Sequence, residues 1–166
     1  MNEMILENYR INGQTLAILP AYHIGYQSVV LEGSKTIYVK MKPMKLIESA
    51  CISGGADYNG RRRAVMCQLD IRRKVPIPIN REKDIYVFPT HSPKQYDCHW
   101  LFYSQIFCIT PHPDNPHNSQ ITFINERRLE LDIAPWLLVK QMYKTGYVKT
   151  KFGLELTNLH NSKEML

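Results

Sequence analysis

No run of apolar residues in this chain comes near the roughly 20 that a membrane-spanning helix needs, so no transmembrane span is expected. The first residues, MNEMILENYR, put no basic stretch ahead of an apolar core, so no secretion signal is expected and a cytoplasmic protein is. Cysteine is scarce: Cys51, Cys67, Cys98 and Cys108 stand far apart without a C-x-x-C pair. In a reducing compartment that predicts free thiols, those on apolar faces serving as core. There is no Walker phosphate loop, Rossmann glycine run or G-x-S-x-G elbow, so no catalytic residue and no cofactor is assigned. Internal repeats and low-complexity segments are missing too. What remains, 44% hydrophobic and 22% charged over 166 residues, is the composition of one folded domain with a real core.

Two weaker chemistries fail on spacing. His91, Cys98 and His99 lie close in sequence, with His112 and His117 beyond. A structural zinc site takes four ligands in tight pairs, whereas adjacent residues in a strand point to opposite faces, so no metal is expected. Cys98 with His99 or His91 lacks the orienting third group that a nucleophile and base require. Glu130 and Asp132 alternate with Leu129, Leu131 and Ile133, as on the wet side of a hairpin.

Periodicity predicts an α+β domain built mainly from antiparallel β-hairpins, with two helices over about 43–53 and 135–152. Asn12-Gly13 between apolar runs is the type I′ hairpin signal, and "YQSVVLEGSKTIYVK" repeats the scheme around Glu32-Gly33. Pro43 suits a first helical position and Gly54-Gly55 a stop. "CHWLFYSQIFCI" is apolar on both faces, as for a strand central to the core or at a protein interface. From its surplus apolar surface a dimer is expected. "QITFINERRLELDI" reads as a third hairpin, and Pro135 opens the last helix.

Charge is unevenly placed. Arg61, Arg62, Arg63, Arg72, Arg73 and Lys74 share the window 61–74 with one acid, Asp70. That window carries +5 of the chain's +6; elsewhere 15 basic residues face 14 acidic ones. So local a field implies a polyanionic partner. Val65, Cys67, Leu69 and Ile71 alternate with Ala64, Met66, Gln68 and Asp70, which predicts a half-buried strand. Tyr58-Asn59-Gly60 then reads as a turn, from which Arg61–Arg63 reach outward. On the last helix Lys140, Lys144 and Lys151 fall within about 40° of one another at 100° per residue, with Lys149 opposite.

Several blocks then resemble one family, in order and at compatible spacing: "YRINGQTLAILP" (9–20), "IYVKMKPMKLIESAC" (37–51), "YNGRRRA" (58–64), "IYVFPTHS" (85–92), "CHW" (98–100) and "YVKTKF" (147–152). Together they resemble the ComK family of competence transcription factors. The resemblance implies an activator of DNA-uptake genes, not an enzyme, that reads paired A-run/T-run boxes in double-stranded A/T-rich promoter DNA. It implies an approach through the minor groove, bending, and cooperating dimers. It also implies RNA polymerase at target promoters and a protease adaptor as partners. Residues 1–152 would be a single ComK-like DNA-binding domain and 153–166 a short C-terminal tail, shorter than the tail in which many family members carry their adaptor-binding segment. Narrow A-tract grooves attract arginine, so the expected DNA-binding set is Asn59, Arg61, Arg62, Arg63, Arg72, Arg73, Lys74, Lys140, Lys144, Lys149 and Lys151. A rival reading makes the chain a paralogue or protein-interaction module that modulates competence without activating promoters itself.

Overall fold

Alternating apolar residues build a sheet that is covered on both faces. The computed structural model describes the backbone of residues 4–164 and the side chains of residues 4–153. Strand β1 is Ile5–Leu6, β2 Thr15–Pro20, β3 Ser28–Glu32 and β4 Lys35–Val39; helices α1 (Pro43–Ser53) and α2 (Tyr58–Leu69) follow. Strands β5 (Ile77–Asn80), β6 (Ile85–Pro89) and β7 (Trp100–Phe102) lead to a 3-10 turn at Tyr103–Gln105. Then come β8 (Ile106–Pro111), β9 (Ser119–Phe123), β10 (Arg128–Leu131) and α3 (Pro135–Glu164). Seven strands form one sheet in the order β1-β4-β3-β2-β7-β6-β5, and three form a second, β10-β9-β8.

The predicted hairpin around Glu32-Gly33 forms, with Glu32 opposite Lys35. Gly33 takes φ +54, a left-handed backbone that costs glycine nothing sterically. The hairpin over 119–131 also forms, with Leu131 opposite Ser119. The sequence-based hairpin at Asn12-Gly13 does not. β1 instead pairs in parallel with β4, so the large sheet is mixed, and β2 pairs with β3 and β7. Pro78 sits in β5, an edge strand with a neighbour on one side only, where a missing backbone N–H is tolerated.

Among the described residues three helices replace the two expected. The segment 58–69, read as a turn and a strand, is α2: its period-two alternation was outweighed by Tyr58, Val65 and Leu69, which stack at helical spacing against the sheet. Tyr58 meets Trp100 edge-on, 6.3 Å between ring centroids. The helix expected over 135–152 continues in its backbone to Glu164. It passes through Gly146, where an added Cβ would lie 2.9 Å from the Tyr103 hydroxyl; the glycine makes room for that ring.

"CHWLFYSQIFCI" is not one strand. The 3-10 turn breaks it, sending β7 into the large sheet and β8 into the small one. Its two apolar faces have separate explanations. Trp100 and Phe102 pack with α1 and α2 in one core, while Leu101 packs with Phe88, Ile121 and Phe123 in the other. Two-sided burial uses most of the surplus surface behind the dimer expectation and leaves Phe107 of that stretch exposed. A bulge near Thr15–Ala17 shifts the register of β2, so that Leu16 and Ala17 both join the second core and Ile18 the first. α3 binds the layers together: Leu138 belongs to the second core, Val148 and Phe152 to the first. No helix among the described residues is long and apolar enough to cross a membrane.

Candidate nucleic-acid interface

A helix turns 100° per residue, so three consecutive arginines on α2 point in three directions. Asp57 caps the helix, its side chain accepting a bond of 2.7 Å from the Gly60 N–H. Arg61 points inward. Its guanidinium donates to three backbone carbonyls: Ala56 at 3.0 Å, Pro78 at 2.8 Å and Cys51 at 2.9 Å. It ties the end of α1 to β5. Gly54 is crowded by that clamp: a Cβ there would lie 2.6 Å from the Ile79 carbonyl oxygen and 2.8 Å from the Arg61 guanidinium. Arg62 faces a groove described below. Arg63 is exposed, one turn from Asn59 on the outer side of α2.

The second basic triplet lies on a short connection between α2 and β5. Asp70 closes α2 in the left-handed region at φ 55, its N–H bonded to the Met66 carbonyl. Lys74 is also left-handed, at φ 45. Side chains other than glycine pay for this conformation, so it persists only where surrounding bonds enforce it. Here they do. The buried Gln141 amide donates to the Lys74 carbonyl and the Pro89 carbonyl, both at 2.9 Å. The Lys144 ammonium donates to the Arg73 carbonyl at 3.1 Å. α3 therefore fixes the backbone that carries Arg72, Arg73 and Lys74.

These elements meet in an open groove of about 500 Å³ whose lining includes Arg62, Arg72, Arg73 and Lys74, with His91 and Gln95 opposite and Val75 and Leu137 at its apolar side. Among the described residues no carboxylate lines it. Arg72 has a surface partner in Asp70 at 2.9 Å, with both side chains mostly exposed, an arrangement worth little. Lys144 is held below the ordinary lysine range, first by burial and then by the charges of Lys140 and Lys74. Three lysines thus feel one another's field beside the groove.

Of the sequence-based set, then, the structure gathers Arg62, Arg72, Arg73, Lys74, Lys140 and Lys144. Asn59 and Arg63 lie on the outer face of α2. Lys149 is elsewhere, in an ion pair of 2.9 Å with Asp84 and 5.7 Å from the Tyr103 ring centroid. Lys151 lies two turns beyond Lys144 on the same face, its ammonium 5.7 Å from the Tyr147 ring centroid. The helical spacing that picked out the lysines also interleaves Trp136, Tyr143 and Tyr147 with them, all three exposed. His91 and Gln95 were missed as groove residues because they come from a loop 17 or more residues away.

Cys98 is buried in the first core and His99 is half-buried beside it. Burial pushes the Cys98 thiol up to about 11 and lowers His99. Among the described residues no three His, Cys, Asp or Glu side chains gather where they would hold a metal ion.

The sequence matches the ComK protein family over residues 6–156. The chain belongs to the ComK family. It is 32% identical over 150 residues to the competence transcription factor of Bacillus subtilis (strain 168), a stretch covering 89% of this chain and 76% of that protein. No solved structure matches the chain. The ComK match spans α2, the 70–74 connection and the groove-side turns of α3, so every basic residue of the groove lies inside it.

Proposed function

We propose that the chain is a competence transcription regulator that binds A/T-rich duplex DNA through the groove between α2, residues 70–74 and α3. The observation that carries this reading is four basic side chains from two segments lining one recess that has no carboxylate among the described residues, with Lys140 and Lys144 beside it. Such a field favours a polyanion. The reading element is the 70–74 connection rather than the turn expected at 58–60. A short, rigid segment bearing Arg73 suits a minor groove about 6 Å wide, whose negative potential is enhanced over A-runs. Arg62, Lys140 and Lys144 then touch flanking phosphates, which position the protein without reading sequence. Arg61 supports the site from behind. Self-association belongs to the same reading: β8 is an edge strand, and Phe107 on it is 73% exposed, an unpaired apolar edge of the kind that pairs across a two-fold axis.

A gel-shift titration on an A-run/T-run duplex and a G+C duplex of equal length, at several salt concentrations, tests the reading. Tighter binding to the A/T duplex with a steep salt dependence is the expected outcome. Equal and weak affinity for both duplexes would overturn it, leaving a modulator that acts on other proteins.

A further inference from the structure

A second groove, of about 590 Å³, adjoins the basic one; Pro93 and Gln95 line both. Its character is different. Met44 and the buried indole of Trp100 form an apolar floor, Tyr22 and Tyr96 stand at the rim, and Lys42 and Lys94 flank it. Among the described residues no Asp or Glu lines it. Tyr22 and Tyr96 stack with centroids 5.2 Å apart at 17°, yet remain 69% and 80% exposed. Ile24, at the loop tip beside them, is fully exposed. Aromatic rings and an isoleucine held in water around an apolar recess are what a protein-binding surface presents.

The walls are ordered before any partner arrives. The loop between β2 and β3 is closed by bonds from the Ala21 N–H to the Gln27 carbonyl and from the Gln27 N–H to the Val39 carbonyl. Stacking of His23 on Tyr26, centroids 4.2 Å apart, stiffens it further. The facing loop is pinned by a Gln95 N–H bond to the Ser92 carbonyl at 2.8 Å. Preordered walls reduce the ordering cost of binding.

We propose that this groove docks an acidic peptide segment of a partner protein, with one large apolar side chain seated over Met44 and Trp100 and carboxylates facing Lys42 and Lys94. The chemistry favours a peptide over duplex DNA. A duplex presents stacked pairs behind a charged backbone and fills an apolar recess only by extruding a base, at the cost of unpairing. A peptide fills it with a single side chain and satisfies both lysines with flexible carboxylates. This inference stands apart from the DNA reading and uses none of its basic residues, although Pro93 and Gln95 line both grooves.

The test is fluorescence anisotropy with the full chain and a fluorescein-labelled ten-residue peptide of Asp and Glu around a central Leu-Phe pair, beside a counterpart with Lys replacing each acid. Saturable micromolar binding of the acidic peptide alone is expected, weakened about tenfold by Tyr96→Ser and by Lys94→Glu. Both residues are exposed, and a urea titration checks that the variants fold. Absence of saturable binding up to about 1 mM overturns the proposal, as does undiminished binding in both variants. Displacement of the peptide by an A/T duplex, with duplex affinity itself lost in Tyr96→Ser, also overturns it, because the groove then belongs to nucleic acid. If the wild-type chain binds no duplex at all, only the DNA reading fails and the peptide result stands.

Discussion

The two basic triplets look alike in sequence and do different work. Arg61–Arg63 ride on a helix, which sends one guanidinium into the framework, one toward the groove and one outward. Arg72–Lys74 ride on a connection with left-handed residues at Asp70 and Lys74, and all three side chains line the groove. The first triplet is divided by its secondary structure; the second is concentrated by the absence of one. Charge count therefore overstates the first as a binding element. The comparison makes a sharp demand: loss at Arg61 must show in stability, and loss at Arg73 in affinity.

The largest effect is expected at Arg61. Charge-assisted bonds to backbone carbonyls are worth about 1.5–3 kcal/mol each, and truncation removes a donor from carbonyls in three segments, of which Cys51 still accepts from the Gly54 and Ala56 N–H groups. Arg61→Ala should cost about 3 kcal/mol by urea denaturation, while the folded fraction keeps its DNA affinity. Arg61→Lys should recover little, since one ammonium cannot reproduce a planar fork aimed at three carbonyls. A variant with wild-type stability and lost DNA affinity would reverse the roles assigned to the two triplets.

Gln141→Leu asks whether the second triplet depends on α3. Its amide satisfies the Lys74 and Pro89 carbonyls in a buried setting, so a leucine of similar volume leaves both acceptors unpaired. A loss of about 2 kcal/mol in stability is expected. Unlike Arg61→Ala, this change should also weaken DNA binding in the folded protein, because Lys74 loses the bond that holds its left-handed backbone. Hydrogen exchange at the amides of residues 71–74 gives an independent measure; protection equal to wild type would show that Gln141 does not hold the segment.

Much of this organisation was legible in the sequence, and the failures have causes. Glu32-Gly33 announced its hairpin because only a residue tolerant of φ +54 fits there. The edges of α1 were visible in Pro43 and Gly54. α2 was misread because Val65, Cys67, Leu69 and Ile71 alternate, while the apolar stripe of the helix is thin and interrupted by arginines. The usable signal was Asp57, an N-cap residue directly ahead of Tyr58. The split of "CHWLFYSQIFCI" was beyond local reasoning: both continuous and broken strands bury alternating faces, and only the partners decide, β2 and β6 for β7 and β9 for β8. The site was half visible. Charge density picked out the window that supplies Arg62, Arg72, Arg73 and Lys74 to the groove, and helical periodicity picked out Lys140 and Lys144 beside it, but nothing local reveals that Arg61 points at three carbonyls or that Lys149 pairs with Asp84.

Arg73→Ala sharpens the comparison from the other side. The side chain is exposed and makes no bond among the described residues, so stability should stay within about 0.5 kcal/mol of wild type. Affinity for the A/T duplex should fall by about 1.5 kcal/mol, with a smaller loss on the G+C duplex, since the narrow-groove potential is what an inserted arginine reads. Arg63→Ala is the matched control, from the outer face of α2. If Arg63→Ala erodes A/T preference more than Arg73→Ala, the reading element lies on the helix and not on the connection.

The smallest effect separates lysines on a single helix. Lys140 stands beside the groove and adds to the field that keeps Lys144 below the ordinary lysine range, whereas Lys149 is neutralised by Asp84 on the opposite side. A phosphate contact releases about one counterion, so Lys140→Ala should reduce the slope of log affinity against log salt by about one unit on either duplex, without changing A/T preference. Lys149→Ala should leave the slope unchanged, because its charge is already compensated and lies outside the groove. The two variants are equal in charge, so non-specific attraction to a basic protein predicts equal losses. Salt titrations from about 50 to 200 mM give the slopes directly. Equal slopes for the two variants would mean that DNA responds only to net charge, and the groove would then have no part in positioning the duplex.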